Sequence, residues 1–263
     1  FPAGCGTAAS FNRDLLYHMG ETLGNECQAE GVSVILGPAV NIKRSPLCGR
    51  NFEYYSEDPL VASEIAGSLI RGVQSKHVGT SLKHFLANNQ ETRRMSVNEI
   101  IDERTLNEIY LAAFEGAVKK AKPWTVMCSY NRINGTYAAA HHKYLTETLR
   151  DKWGFDGYVM SDWGAVNDRV EDLKAGLDLE MPSSMGVNDK LIVEAVQNGT
   201  LEEQVLDTAV ERILNIVYRY TENRDTEAVF NLDHDHEAAK KVAEETIVLL
   251  KNENVLPMTE GEE

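Results

Sequence analysis

The stretch Gly157-Tyr-Val-Met-Ser-Asp-Trp-Gly164 decides how this chain is read. An aromatic and aliphatic run rises out of a turn and stops at an acid, Asp162, which Trp163 and Gly164 follow. A short apolar run between turn signals reads as a buried strand. Buried strands of this kind belong to parallel sheets covered by helices. In such folds the ligand meets the carboxyl ends of the strands, and Asp162 stands at that end. An Asp here has two readings: an N-cap accepting from free backbone N–H groups, or a site carboxylate. The amphipathic ring of Trp163 and the close backbone approach that Gly164 permits favour the site.

Working outward, the same pattern recurs. Residues 9–29 carry apolar positions at helical period, and Val32–Leu36 then reads as a strand ended by Gly37-Pro38. A long irregular stretch follows, holding Gly49-Arg-Asn-Phe-Glu-Tyr-Tyr-Ser-Glu-Asp-Pro59. Loops this long are usually functional; its end, Asp58-Pro59, also suits the N-cap and first position of a helix. Helices are expected over 60–76, 106–118, 144–152, 165–174, 189–197 and 201–220, with strands at His77–Leu82 and Thr125–Tyr130 and a short one at Gly176–Pro182. Thr221–Asp235 is charged and aperiodic, a linker. Glu237–Leu250 reads as a further helix with Val242, Ile247 and Leu250 on its apolar face.

A β-loop-α rhythm repeated roughly five times predicts an α/β fold, a (β/α) TIM-type barrel that is incomplete or shortened. Residues 1–220 form the expected barrel domain, and 221–263 a linker and the start of a second domain. Polar residues collect after strand upon strand: Arg50, then Lys83-His84 with Arg93-Arg94 beyond, then Tyr130, then Asp162. One such cluster is unremarkable, but repetition at one end of successive strands is not.

Composition narrows the function classes. Among 263 residues, 26 Lys and Arg stand against 41 Asp and Glu, a formal charge of −15. So acidic a surface argues against nucleic acid or anionic membrane as partner. No apolar run reaches the roughly eighteen residues of a membrane span, and no leader-like segment opens the chain; a cytoplasmic location is expected. Cys5, Cys27, Cys48 and Cys128 form no Cys-x-x-Cys pair, so neither a zinc site nor a disulfide scaffold is expected. Adjacent His141-His142 do not share a helix face and make a poor metal pair. Asn134-Gly-Thr136 and Asn198-Gly-Thr200 match a glycosylation sequon but read better as turns. Phosphate-cradle and zinc-protease motifs are absent from the sequence, and no cofactor is implied.

Three chemistries suit a carboxylate among cations, hydrogen-bonders and aromatic rings. Asp162 could attack the anomeric carbon of a sugar, with Arg, Lys and His holding hydroxyls. Lys83 could form a Schiff base in an aldolase-like barrel, with Asp162 or Tyr130 moving protons. The barrel could also bind sugar without catalysis. Glycoside cleavage normally takes two carboxylates; Glu53, Glu57, Glu91 and Glu180 are candidate seconds, none marked out by position.

The residues together resemble family 3 glycoside hydrolases, and among them bacterial β-glucosidases. The resemblance is carried by Phe1-Pro-Ala-Gly, Gly49–Pro59, Leu82-Lys-His-Phe85, Asn88-Asn-Gln-Glu-Thr92, Ser129-Tyr130, Val159-Met-Ser-Asp-Trp163 and Gly176-Leu-Asp-Leu-Glu-Met-Pro182, in order along nearly the whole chain. It implies hydrolysis of terminal non-reducing β-D-glucosyl or related residues, from small-molecule or oligosaccharide β-glycosides. It implies a retaining mechanism with Asp162 as nucleophile. Arg50, Lys83 and His84 match positions that hold sugar hydroxyls, Arg94 and Tyr130 positions beside the nucleophile, and Trp163 the tryptophan lining the sugar pocket. No metal or organic cofactor is implied.

Two departures limit the transfer. The family's upstream Asp-Gly-Pro segment does not occur here. Its general acid is typically a Glu in an α/β sandwich domain after the barrel, and Glu244–Asn254 resembles the lead-in to that domain. The N-acetylglucosaminidase branch takes its acid from a His on a barrel loop, but here Leu86-Ala-Asn follows Phe85 in place of that signature. The chain opens on Phe1 and closes on Pro257–Glu263, both read as cuts through something larger, so the expected partner is a missing C-terminal domain of the same enzyme.

Overall fold

The computed structural model describes residues 1–258. Residues 259–263, the end of the segment expected to open a second domain, lie outside the described residues. In chain order the elements are helices α1 (Gly4–Ala9) and α2 (Arg13–Glu30), strand β1 (Val34–Ile35), α3 (Pro59–Gln74) and β2 (Gly79–Phe85). Next come β3 (Asn98–Glu99), α4 (Glu103–Thr105), a π-helical turn (Leu106–Tyr110), α5 (Ala112–Ala121), β4 (Thr125–Cys128), β5 (Arg132–Ile133) and β6 (Thr136–Tyr137). A second π-helical segment (Lys143–Lys152), β7 (Tyr158–Ser161), α6 (Arg169–Ala175), α7 (Val187–Gln197), α8 (Glu203–Thr221) and α9 (Leu232–Glu245) complete it.

The strands β1-β2-β4-β7 lie side by side in that order, every pairing parallel. Parallel neighbours require crossovers, and helices supply them. Residues of β4 and β7 are buried throughout, as strands covered on both faces must be. Leu179 adds a single parallel bridge to Met160 at the outer edge of β7, and Ala39, past the end of β1, adds one to Lys83 of β2. The stretch expected as a strand at Gly176–Pro182 is therefore reduced to one bridge; its Asp178 side chain bonds the β7 backbone instead of leaving the ladder free to run on. This sheet is the parallel arc of a TIM-like α/β barrel, as the rhythm of the sequence predicts.

Local chemistry explains the element starts. Asp58 accepts from Leu60 N and Val61 N with Pro59 behind it, so α3 begins where the sequence signals. Asn134-Gly135 adopts positive φ at both residues and turns β5 back onto β6, the hairpin geometry this dipeptide favours. Helices α2 and α3 cross so closely that a Cβ at Gly72 would stand 2.0 Å from Tyr17 O, and only glycine allows the contact. Behind β2, Phe85 meets Phe114 and Trp153 edge-on at centroid distances of 5.2 and 6.0 Å. These rings anchor the strand whose end carries Lys83 and His84.

The last helix differs from its expected span. It runs Leu232–Glu245, because Asn231 accepts from His234 N as a cap and Asp233 and Asp235 occupy the first turn. Val242 enters the main core, but Ile247 and Leu250 lie past the helix end, 78% and 92% exposed. Helix α9 rests on α1 and α2, with Glu245 accepting from Asn12 Nδ2 at 2.8 Å.

Candidate active site

The carboxyl ends of β2, β4 and β7 and the loop 39–58 converge on Asp162. The N-cap reading fails for this residue: Asp168 caps α6, accepting from Val170 N and Glu171 N. Asp162 is 7% exposed, and its two oxygens are treated differently. Oδ1 accepts from Tyr130 Oη at 2.9 Å and from Trp163 N at 2.7 Å. Oδ2 is buried with no hydrogen-bond partner among the described residues. Arg50 Nη1 stands 4.0 Å from it and His84 Nε2 3.8 Å. A buried polar atom without a partner costs about 1–3 kcal/mol, so native proteins rarely leave one without cause.

The flanking residues are built in from separate elements. His84, 1% exposed, is fixed through its backbone by Asn41, whose Oδ1 accepts from His84 N (2.8 Å) while its Nδ2 donates to His84 O (2.9 Å). Its Nδ1 faces Tyr54 Oη at 3.4 Å, and Tyr54 is held in turn by Asn88. Burial, joined by the charges of Arg50, Lys83 and Arg94, pushes the His84 imidazole well below its ordinary range. It is therefore neutral, and its approach to Asp162 is a polar contact and not an ion pair.

Arg50 and Lys83 share one carboxylate. Arg50 Nε donates to Glu53 Oε1, and Lys83 Nζ lies 3.5 Å from Glu53 Oε2. Arg94 stands one layer further out. Its guanidinium lies 4.5 Å over the Tyr130 ring and donates to Glu91 Oε2 at 3.1 Å, so it reaches Asp162 only through Tyr130. The Tyr130 hydroxyl is pushed up by burial and then by Asp162, which keeps it a donor; Trp163 O, 3.0 Å away, is a second acceptor within reach of the same O–H. The Trp163 ring is 41% exposed at the mouth. Gly164, at φ 83°, donates to Met181 O and clips the loop after β7 to the next bridge.

The structure thus gathers Arg50, His84, Tyr130 and Trp163 directly about Asp162, with Lys83 and Arg94 joined through Glu53 and Tyr130. Of the four candidate second carboxylates, Glu53 and Glu91 are engaged by cations, Glu57 is exposed, and Glu180 accepts from Asn188 Nδ2 at 2.6 Å. Sequence reasoning missed Asn41 and Tyr54, which reach His84 from distant positions, and Asn88, which meets Tyr54 from another loop; no local pattern reveals these contacts. Among the described residues no group of three or more His, Cys, Asp or Glu is placed to hold a metal ion, and no helix is long and apolar enough to cross a membrane.

The sequence profile of the glycosyl hydrolase family 3 N-terminal domain matches residues 1–216. The thermostable β-glucosidase B of Acetivibrio thermocellus is 59% identical over 259 residues, covering 98% of this chain and 34% of that protein. An exo-α-(1→6)-L-arabinopyranosidase of Bifidobacterium longum is 51% identical over 263 residues, again 34% of its length. The chain therefore spans about a third of these relatives. Among solved structures, β-glucosidase 3B of Thermotoga neapolitana in complex with α-D-glucose superposes with a TM-score of 0.95 at 46% identity, over 98% of this chain and 38% of that one. Strand order, strand-end carboxylate and relatives agree: the chain belongs to glycosyl hydrolase family 3, and most of it is that family's N-terminal barrel domain.

Proposed function

We propose that this chain carries the nucleophile and the sugar-holding residues of a retaining β-glycosidase acting on terminal β-D-glucosyl or closely related residues. The observation that carries the reading is Asp162. One oxygen is fixed by Tyr130 and the Trp163 N–H, and the other is buried, unpartnered and flanked by Arg50 and neutral His84. Oδ2 attacks the anomeric carbon as the bond to the leaving-group oxygen breaks, and the electron pair leaves with that oxygen. Water then attacks the same carbon from the face opposite Asp162, giving its proton to the group that acted as general acid, so that Asp162 leaves as carboxylate and the configuration is retained. Arg50, Lys83 and His84 hold hydroxyls, Trp163 packs on the ring, and Arg94 and Tyr130 keep the nucleophile oriented.

The general acid comes from outside these 263 residues, in a second domain to which residues 221–263 lead. Its absence costs roughly a hundredfold to ten-thousandfold, except for leaving groups that depart unprotonated. The glycone follows the relatives only in class, since glucosidases and an arabinopyranosidase are equally similar in coverage. A Schiff-base role for Lys83 fits less well: its amine faces a carboxylate, whereas such lysines are activated by desolvation or a neighbouring cation.

Azide rescue tests the reading. Asp162→Gly should lose turnover of dinitrophenyl β-glucoside, and azide should restore it with an α-glucosyl azide as product. Turnover that survives Asp162→Gly without azide would sink the proposal.

A further inference from the structure

Glu53 touches neither Asp162 nor the loop that carries it, yet it touches both cations beside the nucleophile. Its two oxygens are divided, Oε1 accepting from Arg50 Nε and Oε2 facing Lys83 Nζ at 3.5 Å. The three side chains are 17–20% exposed, enough burial to make a shared carboxylate matter. Arg50 and Glu53 belong to the irregular loop 39–58, and Lys83 to β2. The contact therefore ties loop to strand across the mouth of the site.

The geometry on Arg50 is selective. Glu53 takes the Nε edge of the guanidinium, which leaves Nη1 turned toward Asp162 Oδ2 at 4.0 Å. Glu53 is itself clamped from behind. Its N donates to Arg50 O at 3.1 Å, and Cys5 N of α1 donates to the adjacent Phe52 O at 3.1 Å. A Cβ at Gly4 would lie 2.3 Å from Glu53 O, so α1 sits directly on this backbone.

Charge gives the arrangement its purpose. Arg50 and Lys83 are balanced by Glu53 and Asp162, with His84 neutral between them. Without Glu53, two cations would face one carboxylate. The flexible Lys83 stem could then swing onto Oδ2 and occupy the lone pair that must attack carbon. We propose that Glu53 is a positioning residue: it fixes Arg50 by its Nε edge and holds Lys83 off Asp162, leaving both cations to sugar hydroxyls and Oδ2 free. This rests on Asp162 being the nucleophile.

Two measurements on the 263-residue chain separate this inference from that reading. The first needs no turnover. In a nitrogen–proton NMR correlation of arginine side chains, Arg50 Nε–H, assigned by its loss in Arg50→Lys, should exchange slowly and lose that protection in Glu53→Ala. No protected Arg50 signal, or one unchanged by Glu53→Ala, overturns the proposal. The second is the rate of covalent labelling by 2,4-dinitrophenyl 2-deoxy-2-fluoro-β-glucoside. Glu53→Gln should slow it at least tenfold with the thermal midpoint unchanged. Lys83→Met should cost markedly less in the Glu53→Gln background than alone, because the two act as a unit. Additive losses, or unimpaired labelling in Glu53→Gln, overturn the proposal. A parent with the protected Arg50 signal that takes no label sinks the glycosidase reading and leaves the clamp supported.

Discussion

Asp162 and Asp178 flank the same strand and are treated in opposite ways. Both are nearly inaccessible, at 7% and 4% exposure. Asp178 has both oxygens engaged: Oδ2 accepts from Arg150 Nη2 (2.5 Å) and Val159 N (2.7 Å), and Oδ1 from Arg212 Nη1 (3.0 Å). Three elements, the Lys143–Lys152 segment, β7 and α8, meet on that one carboxylate. Burial is strong enough there to lower the Arg150 guanidinium to about 10, even against the opposing pull of Asp178. Asp162 has one oxygen fixed and the other left over. The two differ in what is left over: Asp178 has both oxygens engaged, whereas Asp162 keeps Oδ2 free at the mouth of the site, beside Arg50 and His84.

Exchanging each acid for its amide should break the pair apart. Asp162→Asn should lower turnover of an activated glucoside by roughly four orders of magnitude or more, the scale of losing a nucleophile, with a thermal midpoint unchanged or raised. Asp178→Asn should instead cost about 3–5 kcal/mol of stability, because two arginines lose their buried counterion, as chemical denaturation would report. If Asp178→Asn spared stability, or Asp162→Asn spared turnover, the contrast would collapse.

A smaller effect sharpens the fixed half of Asp162. Tyr130→Phe removes one charge-assisted bond, worth about 1.5–3 kcal/mol, and should slow turnover by roughly tenfold to a hundredfold.

The last effect, read against pH, concerns a third buried acid. Asp172 in α6 is fully buried, its Oδ1 has no partner among the described residues, and burial raises its carboxyl from 3.8 to about 7. At low pH the folded and unfolded chains both hold this proton. As pH rises through 3.8 the unfolded chain releases it first, so stability falls until the folded group ionises at about 7. Asp172→Asn should remove that falling slope between about 4 and 7, as unfolding midpoints across pH would show.

Much of this was legible in the sequence because the physics is local. The apolar run ending at Asp162, the Asp58-Pro59 cap and the Asn134-Gly135 turn each combine residues close in sequence, and each stands where expected. What escaped depends on distance or on competing signals. Asn41 reaches His84 across 43 positions, and Glu53 reaches Lys83 from another element. Ile247 and Leu250 kept the apolar period of a helix, but the cap at Asn231 set α9 earlier and left them exposed. The π-helical turns at Leu106–Tyr110 and Lys143–Lys152 follow from backbone hydrogen bonds that no residue pattern announces.

The most direct test is the intact mass of this chain after incubation with 2,4-dinitrophenyl 2-deoxy-2-fluoro-β-glucoside, a substrate that needs little acid assistance and accumulates the covalent intermediate. One fluoroglucosyl adduct, mapped by peptide analysis to Asp162, is the predicted result. A folded chain that takes no adduct, or one labelled at any other carboxylate, would contradict the claim that the oxygen left free on Asp162 is there to bond a sugar.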